Sequence, residues 1–87
     1  MSTVYVPAPL RRLTGGVERV AAHGTTVGEL IADLEARFPG LRDALIEADE
    51  LAPHIAVSID GVVGAAGLAE AVDETSEVHF VPPLGGG

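Results

Sequence analysis

Eighty-seven residues, no cysteine, and 13 acids against five arginines for a formal charge of −8 leave room for one small, acidic domain. The missing cysteine excludes a disulfide scaffold, a thiolate metal site and a cysteine nucleophile, and the charge repels phosphate backbones, which excludes nucleic acid as an expected partner. With 47% hydrophobic but only 3% aromatic residues, the core must be built from Val, Leu, Ile and Ala.

The first residues, Met-Ser-Thr-Val-Tyr-Val-Pro, lack the basic and apolar regions of a signal peptide. No apolar run approaches the roughly 18–20 residues of a membrane span, so a cytoplasmic protein without membrane contact is expected. Val4-Tyr5-Val6-Pro7-Ala8-Pro9 reads as a short strand with its prolines at the unpaired end. Leu10-Arg11-Arg12-Leu13 follows, then the turn Thr14-Gly15-Gly16. Val17 to Ala21 is a second strand, paired with the first in hairpin fashion. Thr26 opens a helix with Glu29 three residues on, a Thr-x-x-Glu capping box. Val27, Leu30, Ile31, Leu34 and Phe38 give that helix one apolar face, and Phe38-Pro39-Gly40 stops it. Leu41, Leu45 and Ile46 suggest a short second helix ending near Asp49, and Leu51-Ala52-Pro53 reads as a connector. Ile55, Val57 and Ile59 alternate with Ala56, Ser58 and Asp60 as a half-buried strand, which Asp60-Gly61 turns toward a return strand at Val62-Val63. Leu68 to Val72 reads as one irregular helical turn. Glu77 to Val81 is the last strand, with Val78 and Phe80 on one face and His79 and Val81 on the other. One amphipathic helix needs one sheet face to bury against, so the class is a two-layer α+β domain.

The chain closes on Pro82-Pro83-Leu84-Gly85-Gly86-Gly87. Two prolines forbid further pairing and favour a stiff extended segment that leads away from the body. Six extended residues reach roughly 20 Å at most. Glycine maximises the entropy cost of ordering, so a glycine end serves no fold. What it offers is access to a channel too tight for Cβ atoms. A terminal carboxylate delivered that way is open to activation by ATP as a mixed anhydride. The expected organisation is a domain over residues 1–81 and a flexible tail over 82–87.

Three stretches carry a family resemblance: Pro7 to Gly16 ("PAPLRRLTGG"), Thr25 to Leu41 ("TTVGELIADLEARFPGL") and Glu77 to Gly87 ("EVHFVPPLGGG"). With them the chain resembles the ThiS/MoaD family of ubiquitin-like sulfur carrier proteins along essentially its whole length, its MoaD-like and CysO-like members most closely. The resemblance implies a β-grasp fold, a mixed sheet of four to five strands packed on one main helix. It implies a carrier, not an enzyme. An E1-like adenylyltransferase of the ThiF/MoeB type uses ATP to adenylate the terminal glycine, and persulfide sulfur then replaces AMP to leave a C-terminal thiocarboxylate. No cofactor is bound stably. The sulfur passes to an acceptor held by a synthase or sulfurtransferase: molybdopterin precursor, the thiamin thiazole, activated serine on the way to cysteine, a tRNA base or a secondary metabolite.

Aligned on the prolines, the family's last residue falls on Gly86, and Gly87 extends the chain by one, so the reacting glycine stays open between them. Gly85 completes the tail. Two departures from the family pattern stand out. Asp73-Glu74-Thr75-Ser76-Glu77 has no glycine in the turn before the last strand, and the family's lysines are absent. By the same resemblance Pro7, Val62, Val81, Pro82, Pro83 and Leu84 are candidates for the apolar surface that a partner grips. The expected state is a monomer that forms transient complexes. His23, His54 and His79 show no ligand spacing, so no metal is expected. Three classes stay open on the residues: a sulfur carrier, a modifier that joins its C-terminus to target lysines, and an inert β-grasp adaptor or obligate small subunit; in the small subunit of a molybdopterin synthase, a further alternative, carrier and subunit roles merge.

Overall fold

A computed structural model of the chain describes residues 1–81, and the expectations placed on 82–87 lie outside it. Strand β1 (Ser2–Tyr5) starts the chain and buries Ser2 and Val4 on one face. It ends before Pro7, which leads into a 3-10 helix over Ala8–Thr14, the conformation taken up by the Leu10 to Leu13 stretch. Gly15 sits at φ 66° and its neighbour Gly16 donates its N–H to the Arg11 carbonyl at 2.8 Å, which makes the expected turn. Strand β2 (Arg19–Ala22) then returns antiparallel to β1, with Val4 opposite Val20.

Helix α1 (Val27–Arg37) follows its sequence signals closely. Thr26 caps it, its Oγ1 accepting from the Glu29 N–H at 3.2 Å. The reciprocal half of the box differs by one residue. Glu29 Oε1 accepts from the N–H and the hydroxyl of Thr25, not from Thr26, which stands in an isolated bridge opposite Ala71. Val27, Leu30, Ile31 and Leu34 are buried, while Phe38 closes the helix half-buried. Gly40 takes φ 106°, with Leu13 only 3.2 Å from where a Cβ would stand. Having no side chain, Gly40 cannot cap helix α2 (Leu41–Leu45); Glu35 does so, accepting from the N–H groups of Gly40 and Arg42 at 3.1 and 2.8 Å.

Here the structure departs from the expectation. Helix α2 stops at Leu45, and Ile46 leads into a small hairpin of β3 (Ile46–Glu47) and β4 (Glu50–Leu51). Ala48 and Asp49 both take positive φ, 53° and 63°, as a two-residue turn matched to strand twist requires. The hairpin lets Ile46 and Leu51 pack against the core, which a helix continued to Asp49 would not.

Strand β5 (Ala56–Ile59) turns through Asp60 and Gly61, at φ 51° and 87°, into β6 (Val62–Val63). A short 3-10 turn over Gly67–Ala69 stands where the irregular helical turn was expected. Strand β7 (Glu77–Val81) runs between β1 and β5, parallel to the first and antiparallel to the second. The five-stranded sheet has the order β2-β1-β7-β5-β6, with β3-β4 apart. Its inner face meets α1 and α2 around Val4, Val20, Leu30, Leu34, Val57 and Val78. Burying each such Val or Leu contributes about 1.5–3 kcal/mol against the conformational entropy lost.

Candidate functional site

The site is organised by the end of β7. Val78 and Phe80 are buried, so the pleat turns His79 and Val81 to the opposite, outer face. Val81 pairs with Ala56 and is half-buried. Beside it lies a groove of about 350 Å³ whose walls include Pro7, Leu10, His54, Ile55, Phe80 and Val81. The structure therefore brings Pro7 and Val81 together at the point from which the chain continues. Pro82, Pro83, Leu84, Gly85, Gly86 and Gly87 lie outside the described residues.

Val62 stands elsewhere. It pairs with Ile59, which pairs with Val78, which pairs with Val4, so Val62 ends a row on the helix-bearing face at the sheet edge, 69% exposed. The neighbouring row holds Tyr5, His79, Ser58 and Val63 on the outer face. By register Val63, 55% exposed, shares that face with Val81, and Val62 does not. Sequence reasoning missed Val63, Leu10, Ile55 and His54 around this end of the molecule. Val63 was countable from the Asp60-Gly61 turn, since alternation in a two-residue hairpin fixes which of two valines faces which way. The groove had no local signal, because its walls come from four separate segments.

The outer face also carries an aromatic pair: the rings of Tyr5 and His79 stack 4.1 Å apart and 6° from parallel. The Tyr5 hydroxyl donates to Glu77 Oε1 at 3.3 Å, and Asp60 Oδ1 accepts from the Glu77 N–H at 2.9 Å. These contacts fix the two carboxylates Glu77 and Asp60 beside the stack. Among the described residues no cluster of three or more His, Asp or Glu side chains is placed to hold a metal ion, and no helix is long and apolar enough to cross a membrane. His23 follows β2, His54 precedes β5 and His79 lies within β7. What this end of the molecule offers is a shaped surface around a strand terminus.

A model of the ThiS family matches residues 4–87, which takes in all but the first three described residues, and with them the Pro-Pro-Leu-Gly-Gly-Gly segment beyond. The chain belongs to the ThiS family. The sulfur carrier protein CysO of Mycobacterium tuberculosis H37Rv is 34% identical over 90 aligned positions, covering 98% of this ThiS-family chain and 97% of the relative. Small archaeal modifier protein 3 of Haloferax volcanii is 42% identical over 64 positions, 71% of this chain and 70% of its own. Among solved structures, a chain of the Amycolatopsis orientalis BexX/CysO complex superimposes with a TM-score of 0.90 at 32% identity, covering 100% of both chains. This ThiS-family chain is accordingly a β-grasp protein, with a five-stranded mixed sheet closed over one main helix.

Proposed function

We propose that the chain is a sulfur carrier whose chemistry is borne by the carboxylate of the Gly85-Gly86-Gly87 segment. The observation that carries this reading is the family match over residues 4–87, joined to a CysO sulfur carrier that aligns along nearly the whole chain. In the first step the carboxylate attacks the α-phosphorus of ATP on an E1-like adenylyltransferase of the ThiF/MoeB type and releases pyrophosphate. Sulfide then attacks the acyl carbon, forming the C–S bond as the C–O bond to AMP breaks, and loss of a proton leaves a thiocarboxylate. The protein acts as a carried substrate and supplies no catalytic group. With no cysteine in the chain, transferable sulfur has no side chain to occupy. We place the delivery on the route from activated serine to cysteine, with molybdopterin precursor and secondary metabolites as the competing acceptors of a synthase or sulfurtransferase.

Pro7 and Val81, with Leu84 beyond them, are the residues we assign to the partner's grip; Val62, exposed at the β6 edge on the helix-bearing face, lies apart from that surface. A CysO crystallised with a second protein, BexX, supports a carrier of this shape being held by a protein partner. The test is an intact mass with C-terminal peptide mapping after incubation with ATP, sulfide and the host's E1-like enzyme. Oxygen-to-sulfur exchange adds nearly the mass of one methionine oxidation, so the shift must lie on the tail peptide and react with a thiol alkylator. An alkylatable shift on Gly86 or Gly87 is expected, and deletion of Gly86-Gly87 is expected to abolish it. An unmodified tail would move the assignment to an inert adaptor.

A second reading has its own observation in the likeness to small archaeal modifier protein 3. An acyl adenylate accepts amines as well as sulfur, so the same tail would serve conjugation to lysines. Having no lysine, the chain would form no lysine-linked polymer of itself. Conjugates that survive a denaturing gel would favour this modifier role.

A further inference from the structure

The sheet has two edges, β2 and β6, and they are treated differently. On β1, Thr3 donates its N–H to Ser76 on the β7 side, while Val6 donates to Glu18 on the β2 side. Alternation therefore directs the backbone groups of Glu18, Val20 and Ala22 toward β1, and those of Arg19, Ala21 and His23 outward. An outward row of N–H and C=O groups is a template for another strand. Two consecutive members of this row are already taken by side chains of α1. The His23 N–H donates to Asp33 Oδ2 at 2.9 Å, and Arg37 Nη2 donates to the Ala21 carbonyl at 2.6 Å. Arg37 Nη2 also reaches Asp33 Oδ2 at 3.0 Å, so one turn of helix presents an acceptor and a donor joined to each other.

We infer that the Asp33–Arg37 pair is a side-chain seal that closes the β2 edge against strand addition by a second copy of this chain. The acceptor and donor stand where a carbonyl and an amide of an added strand would stand. With both places filled, an incoming strand would have to displace an ion pair before forming its first two ladder bonds. The seal is independent of the sulfur-carrier reading, since it concerns the edge farthest in strand order from β6 and no residue of the tail.

The test is the double variant Asp33→Ala/Arg37→Ala. It removes one charge of each sign, so the formal net charge stays at −8 and any change is not one of overall repulsion. The pair is 30% and 42% exposed and outside the core, so the circular dichroism spectrum should remain that of the parent. Sedimentation over a concentration series should show self-association strengthened about tenfold or more, equivalent to about 1.4 kcal/mol. Amide exchange should show the Arg19 and Ala21 N–H groups gaining protection with concentration. Adding Ala21→Pro to the double variant should restore the single copy, because proline is tolerated on an edge whose N–H faces solvent and removes a needed donor. The milder Asp33→Asn/Arg37→Gln should keep the seal, retaining one acceptor and one donor. Unchanged sedimentation of the Ala double variant, or protection that appears at Val62-Val63 instead of β2, would overturn the inference.

Discussion

Asp73 holds together the glycine-free turn before β7. Its Oδ1 accepts from the Thr75 N–H at 2.7 Å, the Thr75 hydroxyl at 2.9 Å and the Ser76 hydroxyl at 3.3 Å. Its carbonyl accepts from the Ser2 hydroxyl at 2.7 Å, which ties the turn to the start of β1. The Thr75 N–H, with the Thr75 hydroxyl behind it, holds the Asp73 carboxyl below its ordinary value of 3.8. At Asp33 the His23 N–H does the same, with the Arg37 charge adding to it against the cost of desolvation. Both groups are depressed in the folded state. Their contribution to stability is present above the unfolded value near 3.8 and is lost as pH falls through the lower folded value. Urea midpoints measured downward from pH 5 should therefore fall in the parent, and fall less steeply in Asp73→Asn, whose amide keeps an acceptor but does not titrate. Equal slopes would show that Asp73 is not held below its unfolded value. The sequence displayed a polar turn here, but not its tie to β1, because that depends on Ser2 arriving from the far end of the chain.

Helix α1 and the β3-β4 hairpin mark the two extremes of what the sequence made readable. For α1 every local signal agreed: period, cap, acidic first turn and a Phe-Pro-Gly stop. The hairpin had none, since its strands are two residues each and its turn is Ala48-Asp49, without the Asn-Gly that such turns favour. Tertiary burial of Ile46 and Leu51 overrode the helical continuation, and the turn pays for it in strained backbone. Left-handed φ costs an ordinary L-residue about 1–2 kcal/mol. Ala48→Asn with Asp49→Gly should relieve much of that strain. The Arg42–Asp49 pair that it sacrifices, 3.7 Å long with the Asp49 side chain 96% exposed, adds little. A gain of about 1 kcal/mol would raise Tm by about 4–8 °C in a domain of this size. A lower Tm in a thermal melt would mean that the turn does not have this geometry.

At the scale of the whole molecule, the sheet order was the least readable feature and the tail the most. Nothing local says that the first and last strands pair in parallel, because that contact joins Val4 to Val78 across nearly the full chain. The Pro-Pro-Leu-Gly-Gly-Gly segment is contiguous, so the chemistry proposed for it rests on sequence alone, without any fold. The groove that accompanies it was not legible there, since Pro7, Ala44, Ile55 and Val81 meet only after folding. On the proposed function, stability and chemistry fall to different parts of the chain. The buried cluster runs from Val4 to Phe80, and β7 is held on both sides, by β1 and by β5. A chain ended at Val81 retains every one of those residues and pairings. Its Tm should stay within about 4 °C of the full chain, the shift expected of about 1 kcal/mol or less. The same shortened chain should yield no alkylatable product with ATP, sulfide and the activating enzyme. A melt lowered by about 10 °C or more, corresponding to roughly 2 kcal/mol, would show instead that residues 82–87 belong to the folded unit, and the separation of carrier body from reacting tail would fail.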